Sequence, residues 1–222
     1  FSKNGMYSNG PSYNTENHLY QNSLSWQHDF TIVADHVISV FYEGYKERIR
    51  SNDEYSKTKR NTNSFGAIYQ GHFANRHHLQ ASVRNDRYTD YGSRTTGSLA
   101  YDFDLTNELT IGLAGSTGFR MPHFTDLYGP TYEGYPGYYP GYISNPDLKP
   151  EKSRNLEAHL SFENDNSTAS IRIYHTKYRD LINGSAKSRF ANINTSDNID
   201  KATIRGLSLN AAHDFDNTRI YA

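Results

Sequence analysis

The stretch GFRMPHFTDLYGPTYEGYPGYYPGYISNPDLKPEKS, residues 118–153, is the segment around which the rest of the chain is organised. It opens with a Gly-Phe-Arg-x-Pro box and closes with an Asn-Pro-Asp-Leu-Lys-Pro box, and Tyr, Gly and Pro dominate between them. Proline removes a backbone donor, and glycine adopts conformations that other residues avoid. We therefore expect neither helix nor strand between the boxes, but one long external loop over residues 119–152.

On both sides of this loop, apolar and polar residues alternate with a period of two, which is typical of half-buried strands. The segments that show the pattern are 18–28, 36–47, 65–73, 78–83, 98–103, 109–114 and 156–163. The apolar positions of the clearest segments are predicted to face lipid: Leu109, Ile111, Leu113, Leu156, Leu160 and Phe162.

The connections between these segments alternate in length. Short turns are predicted near 29–35, 75, 105–107, 165–166 and 216–217, and longer links near 47–60, 86–94, 119–152 and 183–198. About ten strands follow, with one end tightly connected and the other carrying loops, as in outer-membrane barrels. Aromatic residues beside the short turns fit an interfacial girdle, although aromatics also favour strands in general; they are Phe73, Phe103, Phe162 and Phe215.

Composition separates a membrane barrel from its alternatives. Hydrophobic residues make up only 35% of the chain, yet 19 Tyr and 11 Phe argue against disorder. No apolar run approaches the length of about 18 residues that a membrane-spanning helix needs. A soluble β-sandwich would need large aliphatic residues on its inner faces, whereas the polar faces here carry Ser, Thr, Gln, Glu and His. We predict an all-β fold: residues 1–222 form part of one transmembrane antiparallel β-barrel.

The motifs resemble a known family. In addition to the two boxes, the chain carries DLY at Asp126–Tyr128, RND at Arg84–Asp86, YRDLI at Tyr178–Ile182 and KATIRGLSL at Lys201–Leu209. Their order resembles the barrel of TonB-dependent outer-membrane receptors of Gram-negative bacteria, most closely the cobalamin receptors, from about residue 37 to 213. Two positions depart from the pattern: Met121 stands where Ala is usual, and Asp147 where Asn is common.

The resemblance implies a 22-stranded barrel with an N-terminal plug that this chain lacks, located in the cell outer membrane. It also implies import of a scarce nutrient with energy supplied through TonB, ExbB and ExbD, and contact with outer-membrane lipid and lipopolysaccharide. A haem or siderophore receptor of the same superfamily is the first alternative. A non-transporting adhesive or structural barrel is the second, and a secreted β-rich enzyme is the third.

Catalytic, metal-binding and nucleic-acid-binding roles find little support in the residues. There is no GxSxG nucleophile elbow, and the adjacent His77 and His78 point to opposite faces of a strand. The segment 196–200 lacks the Gly and terminal Glu of a calcium loop, so turn capping is the preferred interpretation. A formal net charge of −1 gives no electrostatic attraction for nucleic acid. We predict no enzyme activity, catalytic residue, metal ligand or cofactor in this segment, and calcium sites elsewhere stay open.

The tyrosines of the loop are the candidate ligand contacts, because tyrosine offers a large amphipathic face with few rotamers to freeze. They are Tyr128, Tyr132, Tyr135, Tyr138, Tyr139 and Tyr142. Arg120 and His123 beside the first box are further candidates, with pairing of Arg120 to a carboxylate of the wall as the alternative. A loop that only shields the barrel mouth or meets lipopolysaccharide is the competing hypothesis.

Cobalamin is the predicted ligand, with haem as its rival. Haem capture commonly uses a His or Tyr ligand to iron, and no His lies between Phe124 and Pro150. A cobalamin arrives with its cobalt already ligated and needs mainly shape and aromatic contact.

The sequence also predicts that this chain is part of a longer protein. About ten strands would leave two unpaired edges, which lipid cannot satisfy. Mass spectrometry of the native protein should therefore give a mature mass well above the 25.4 kDa of this chain. A native mass close to that value would contradict the barrel-receptor interpretation.

Overall fold

The computed structural model describes residues 15–135, 140–187, 193–216 and 218–221, and most of them belong to one β-sheet. In chain order its elements are β1 (Asn17–Val33), β2 (His36–Ser51), β3 (Lys59–Phe73), β4 (His77–Tyr88), β5 (Gly92–Asp104), β6 (Leu109–Arg120), α1 (Phe124–Tyr128), β7 (Gly141–Ile143), β8 (Glu151–Glu163), β9 (Ser167–Lys187), β10 (Ile193–Phe215) and β11 (Thr218–Tyr221).

The sheet is an up-and-down meander. Each strand except β7 pairs with its neighbours in sequence, in the order β1-β2-β3-β4-β5-β6-β8-β9-β10-β11, and all these pairings are antiparallel. The short β7 lies off this path and pairs in parallel with β10. Within the described residues the sheet is open, with β1 and β11 at its edges. The prediction of about ten strands is thus confirmed.

The predicted alternation of faces is present in the ladder. Leu109 lies opposite Phe162, Ile111 opposite Leu160, and Leu113 opposite Ala158. Residues directly opposite each other project to the same side, so these side chains share one face, which we call the apolar face. Thr110, Gly112 and Ser161 alternate with them and belong to the other side, the polar face. The four girdle phenylalanines also fall on the apolar face by this register.

The polar face is lined by hydrogen-bonded and charged groups. Arg84 forms ion pairs with Glu43 at 2.7 Å and with Asp86 at 2.9 Å, and Ser64 Oγ donates to Asp86 Oδ1 at 2.5 Å. Gly112 leaves room there for His159 to approach Asp102, because a Cβ at this position would overlap both side chains. Such a face suits a water-filled interior better than contact with a second sheet.

The distribution of exposure excludes a soluble sandwich. Among the described residues, the buried hydrophobic side chains are Ile49, Leu127, Tyr128 and Leu148, and the last three belong to the β6–β8 link. By contrast, Leu113 is 62% exposed and Leu156 is 66% exposed on the apolar face. Apolar surface of this extent needs a nonaqueous surrounding. No helix in the described part of the chain is long and apolar enough to cross a membrane.

Several predicted links are shorter than expected. The link expected at 86–94 is reduced to residues 89–91, because β4 continues to Tyr88 and β5 begins at Gly92. The link expected at 183–198 is largely strand, since β9 runs to Lys187 and β10 starts at Ile193. The first strand likewise continues to Val33 instead of ending near 28. The strand ends next to these links carry polar residues on both faces. Their sequences therefore resemble loops, although the backbone pairing continues.

The expectation of no regular structure between the two boxes is wrong. The β6–β8 link, residues 121–150, contains α1 and β7. The helix forms before the Tyr/Gly/Pro-rich part begins, and β7 forms because β10 offers its backbone to residues 141–143. We call residues 121–150 the long loop.

The two faces should respond differently to charge. In the full-length protein, Leu113→Arg should cost up to about 2–4 kcal/mol of unfolding free energy near the membrane midplane, whereas Ser161→Arg on the polar face should cost little. Urea-driven unfolding from lipid bilayers, followed by Trp fluorescence, measures both variants against the wild type. Equal tolerance of arginine on the two faces would contradict a lipid-facing assignment.

Candidate functional site

An ion pair closes the long loop at its base. Arg120, the last residue of β6, lies directly opposite Glu151, the first residue of β8. Its guanidinium donates from Nε to Glu151 Oε2 at 2.7 Å and from Nη2 to Oε1 at 2.5 Å. Glu151 Oε1 also accepts from the backbone N–H of Ile182 at 2.8 Å. Arg120 therefore makes the alternative contact that the sequence offered, pairing with a carboxylate of the wall.

A small apolar core holds the first half of the long loop against the rim of the sheet. Leu127, Tyr128 and Leu148 form this core, with Phe124 and Ile182 packed against it. Residues 122 and 150, both proline, are fully buried on either side. We call residues 122–130 and 145–150 the loop foot. Their burial contrasts with the exposed sheet faces and shows that this part of the loop is a folded structure.

Tyr128 connects the loop foot to two other segments, the β2–β3 link and the β4–β5 turn. Its phenol Oη donates to Asp90 Oδ2 at 3.0 Å and accepts from Lys57 Nζ at 3.3 Å, and the Lys57 ammonium lies 4.6 Å from the ring centroid. Its backbone carbonyl accepts from Ser56 N–H at 3.0 Å. Burial, reinforced by the Asp90 carboxylate, raises the pKa of Tyr128 to about 12, so the phenol keeps its proton and its donor role.

A buried ion pair lies beneath this tyrosine. Arg60 Nε donates to Asp90 Oδ2 at 3.1 Å, and the two side chains are only 6% and 4% exposed. Arg60 Nη1 reaches the carbonyl of Pro122 at 3.5 Å, and its guanidinium lies 5.3 Å from the ring centroid of Phe124. Buried charges are tolerated when they are paired and hydrogen-bonded, although Arg60 Nη2 and Asp90 Oδ1 have no hydrogen-bond partner among the described residues. This pair therefore links the start of β3 to the β4–β5 turn and to the loop foot.

Asp126 anchors the second half of the long loop. Its Oδ1 accepts from Ser196 Oγ at 2.9 Å and from Tyr142 Oη at 3.4 Å, and its carbonyl accepts from Asn145 N–H at 2.7 Å. Ser196 is completely buried, and burial raises the pKa of Tyr142. The contacts tie β7 and the end of the loop to β10.

The segment 196–200 lies within β10 and not in a turn, so the turn-capping interpretation is wrong; the segment contributes to the site through Asn198. Its side-chain amide donates to the carbonyls of Lys149 and Asp180 at 2.9 and 2.7 Å, and its Oδ1 accepts from Lys149 N–H at 2.8 Å. These bonds fasten the second box to β9 and β10. No group of three His, Cys, Asp or Glu side chains in the described part of the chain is close enough to hold a metal ion.

The structure separates the candidate tyrosines into two groups. Tyr128 is 4% exposed and Tyr142 is partly buried, so both serve as anchors. Tyr132 and Tyr135 are 41% and 59% exposed, and the backbones of Tyr132 and Tyr142 bridge each other at 2.8 and 2.9 Å. Tyr138 and Tyr139 lie outside the described residues.

His123 and a recess complete the site. His123 is exposed just before α1 and makes no side-chain capping bond. Below the loop foot, the polar face forms a recess of about 790 Å³ whose lining includes Arg60, Arg84, Arg120 and Met121. The recess therefore adjoins the loop foot, and Tyr132 and Tyr135 are not among the residues that line it.

Sequence reasoning missed Arg60, Asp90 and Ser196. Asp90 and Arg60 are separated by 30 residues and belong to no motif, so only the strand register brings them together. The DLY box was a usable signal, because its Asp126 and Tyr128 are the two main hydrogen-bonding residues of the loop foot.

Comparison with known proteins gives the family. The family model "TonB dependent receptor-like, beta-barrel" matches residues 1–222. The vitamin B12 transporter BtuB of Photobacterium profundum is 28% identical over 194 residues, covering 84% of this chain and 29% of that protein. A probable hemoglobin and hemoglobin-haptoglobin-binding protein of Haemophilus influenzae is 30% identical over 128 residues, covering 51% of this chain and 12% of that protein.

Solved structures agree on the fold. The siderophore receptor PirA of Pseudomonas aeruginosa superposes with a TM-score of 0.78 at 18% identity, over 92% of this chain and 41% of that chain. The chain spans under a third of the length of the vitamin B12 transporters that it matches. The family is one of outer-membrane transporters, and its members are not enzymes, as predicted. The matched family model, the relatives and the all-β meander together establish that this chain belongs to the TonB-dependent receptors and forms part of their β-barrel.

Proposed function

We propose that this chain supplies part of the wall and one external loop of an outer-membrane receptor that imports cobalamin. The remainder of the receptor would supply the plug through which TonB, ExbB and ExbD deliver energy. The observation that carries the ligand proposal is the pair of exposed rings of Tyr132 and Tyr135, which belong to a loop whose foot is buried and adjoins the polar recess.

The chemistry of these groups supports a large ligand whose metal ion already carries its coordinating ligands. The two exposed tyrosines offer aromatic surface and hydroxyl groups, which suits recognition by shape. Because the loop foot is already folded, little ordering entropy would be lost there on binding. The vitamin B12 transporters of Photobacterium profundum and Vibrio vulnificus align with 84% and 86% of this chain, which further supports cobalamin.

Haem is the second candidate, and His123 favours it. This imidazole is exposed at the edge of the loop foot, where it could supply a nitrogen ligand to iron. The relative from Haemophilus influenzae named for haemoglobin binding aligns with 51% of this chain. A siderophore receptor and a non-transporting barrel remain further alternatives.

Titration of the full-length receptor in detergent with cyanocobalamin and with haemin tests the ligand. We expect cyanocobalamin to bind with an affinity at least about tenfold tighter than haemin, as measured by isothermal titration calorimetry. Binding of haemin alone, reduced by His123→Ala, would replace the cobalamin proposal with the haem one.

The role of the exposed rings needs a separate measurement. The double variant Tyr132→Ala, Tyr135→Ala should weaken cyanocobalamin binding at least about tenfold, because tyrosine is enriched among the interface residues whose truncation costs about 2 kcal/mol or more. The matched control is Tyr132→Phe, Tyr135→Phe, which keeps the rings and should stay within about threefold of the wild type. Deleting residues 131–142 extends the test to Tyr138 and Tyr139. Unchanged affinity after this deletion would show that the loop does not contact the ligand.

A further inference from the structure

The buried ion pair beneath Tyr128 is incompletely hydrogen-bonded. Arg60 and Asp90 are only 6% and 4% exposed. Among the described residues, Arg60 Nη2 has no acceptor and Asp90 Oδ1 has no donor, and neither atom is exposed to solvent. Buried polar atoms are normally satisfied, so two unsatisfied atoms within one ion pair need a physical explanation.

Competition for the other carboxylate oxygen explains both atoms. Asp90 Oδ2 accepts from Arg60 Nε at 3.1 Å and from Tyr128 Oη at 3.0 Å. The Nε–H and one Nη2–H of a guanidinium point from the same edge, so a carboxylate that faces this edge accepts both hydrogen bonds. A carboxylate that also accepts from Tyr128 does not face the edge in this way. Nη2 and Oδ1 are therefore left without partners.

The ion pair at the base of the same loop shows the alternative arrangement. Arg120 donates through Nε and Nη2 to the two oxygens of Glu151, at 2.7 and 2.5 Å. No tyrosine hydroxyl among the described residues competes for that carboxylate. Arginine–carboxylate pairs with two hydrogen bonds are the stronger form. The same two-bond pair becomes available to Arg60 and Asp90 when the tyrosine withdraws.

Withdrawal of Tyr128 would change the contacts that position the long loop. The Tyr128 hydroxyl accepts from Lys57 Nζ at 3.3 Å, and the Tyr128 carbonyl accepts from Ser56 N–H at 3.0 Å. Both partners belong to the β2–β3 link, whereas Asp90 belongs to the β4–β5 turn. Tyr132, with its exposed ring, follows only four residues later. A shift of Tyr128 is therefore passed along the backbone to the exposed part of the loop.

We propose that Asp90 is a positioning residue with two settings and that it determines how firmly the long loop is held. In the first setting, which the structure shows, Asp90 bonds Tyr128 and the loop foot is a rigid extension of the sheet. In the second setting, Asp90 forms a two-bond pair with Arg60, and the Tyr128 hydroxyl donates to water. The first setting keeps the foot closed, and the second satisfies Nη2 and Oδ1. Because each gains what the other lacks, both settings are populated.

This inference goes beyond the proposed function, because the two settings do not depend on which ligand binds. The test uses the full-length receptor in lipid nanodiscs without ligand. Hydrogen–deuterium exchange, measured by mass spectrometry, follows the peptides that contain the N–H groups of Ser56, Leu127 and Gly129, which are hydrogen-bonded in the first setting. The midpoint of urea-driven unfolding gives the stability of the barrel separately.

The first variant is Tyr128→Phe, which removes the hydroxyl and keeps the ring in the apolar core. We expect exchange in the foot peptides to rise at least about threefold, because the second setting is then favoured. The unfolding midpoint should stay at the wild-type value, since the two-bond pair replaces the lost hydrogen bond. The matched control is Tyr42→Phe, which removes the phenol bond to Asn63 on the sheet and should leave exchange in the foot unchanged.

The second variant is Arg60→Lys, which keeps the charge but cannot form a two-bond pair with a carboxylate. Only the first setting then remains, so exchange in the foot peptides should fall at least about threefold. A purely structural role for Arg60 predicts the opposite sign, because the foot would lose contacts and open more often. The opposite responses of the two variants are therefore the signature of the two settings.

Three results would overturn the inference: unchanged foot exchange in Tyr128→Phe, faster exchange in both variants, or a lowered unfolding midpoint in Tyr128→Phe. If Arg60→Lys does not fold, the first and third results still decide. Since no ligand is added, failure of the cobalamin proposal leaves these measurements unaffected. A receptor that binds cobalamin but gives one of the three results loses only the two settings of Asp90.

Discussion

The unbroken antiparallel ladder is the constraint on which every other feature of this structure depends. Backbone N–H and C=O groups that face lipid have no water to bind, so each strand must satisfy them with its neighbour along its whole length. Once the register is set, alternate side chains are committed to opposite faces. The register that brings Leu113 beside Ala158 also brings Gly112 beside His159. The apolar face and the polar face are therefore consequences of one pairing pattern.

The same ladder positions the loop foot, although no lipid is involved there. Arg60 is the second residue of β3, Asp90 lies in the turn after β4, and Tyr128 ends α1. Their hydrogen bonds form because the pairing of β3 with β4 holds Arg60 beside Asp90, and α1 places Tyr128 against that carboxylate. A buried guanidinium and carboxylate are costly to desolvate. Removing one partner would leave the other charge buried and unpaired, which would strongly destabilise the fold. This dependence makes the foot a rigid extension of the sheet.

The alternation of apolar and polar residues with a period of two was enough to predict the fold class. Particular residues show where this pattern stopped being informative. The alternation at 109–114 and 156–163 was read correctly because apolar and polar residues fall on opposite faces there. It failed at 86–94, where Arg87 occupies the face that is apolar further down, and at 183–198, a segment flanked on that face by Arg179 and Lys201. Water on both sides removes the hydrophobic contrast but not the backbone pairing.

The candidate site was only half predictable for a related reason. A tyrosine-rich loop indicates aromatic surface, but its sequence does not say which rings are exposed. Tyr128 and Tyr132 are four residues apart, yet one is 4% and the other 41% exposed. The difference comes from Asp90, Lys57 and Arg60, which are distant in sequence. The row of Lys152, Arg179 and Lys201 across β8, β9 and β10 is likewise not evident from the sequence, because only the strand register brings these residues together.

The bridge between Tyr132 and Tyr142 changes what the loop can do. The link between β6 and β8 is about 30 residues long, but the bridge closes a shorter loop of about nine residues within it. Loop-closure entropy scales with the logarithm of length, so bringing together the ends of the shorter loop costs roughly 1 kcal/mol less than closing the whole link. The remainder of the link has already been fixed by α1, β7 and the buried core. Substitutions in the Tyr/Gly/Pro segment can therefore alter the exposed surface of the loop without disturbing the foot; under the proposed function, this separates ligand specificity from the stability of the barrel wall.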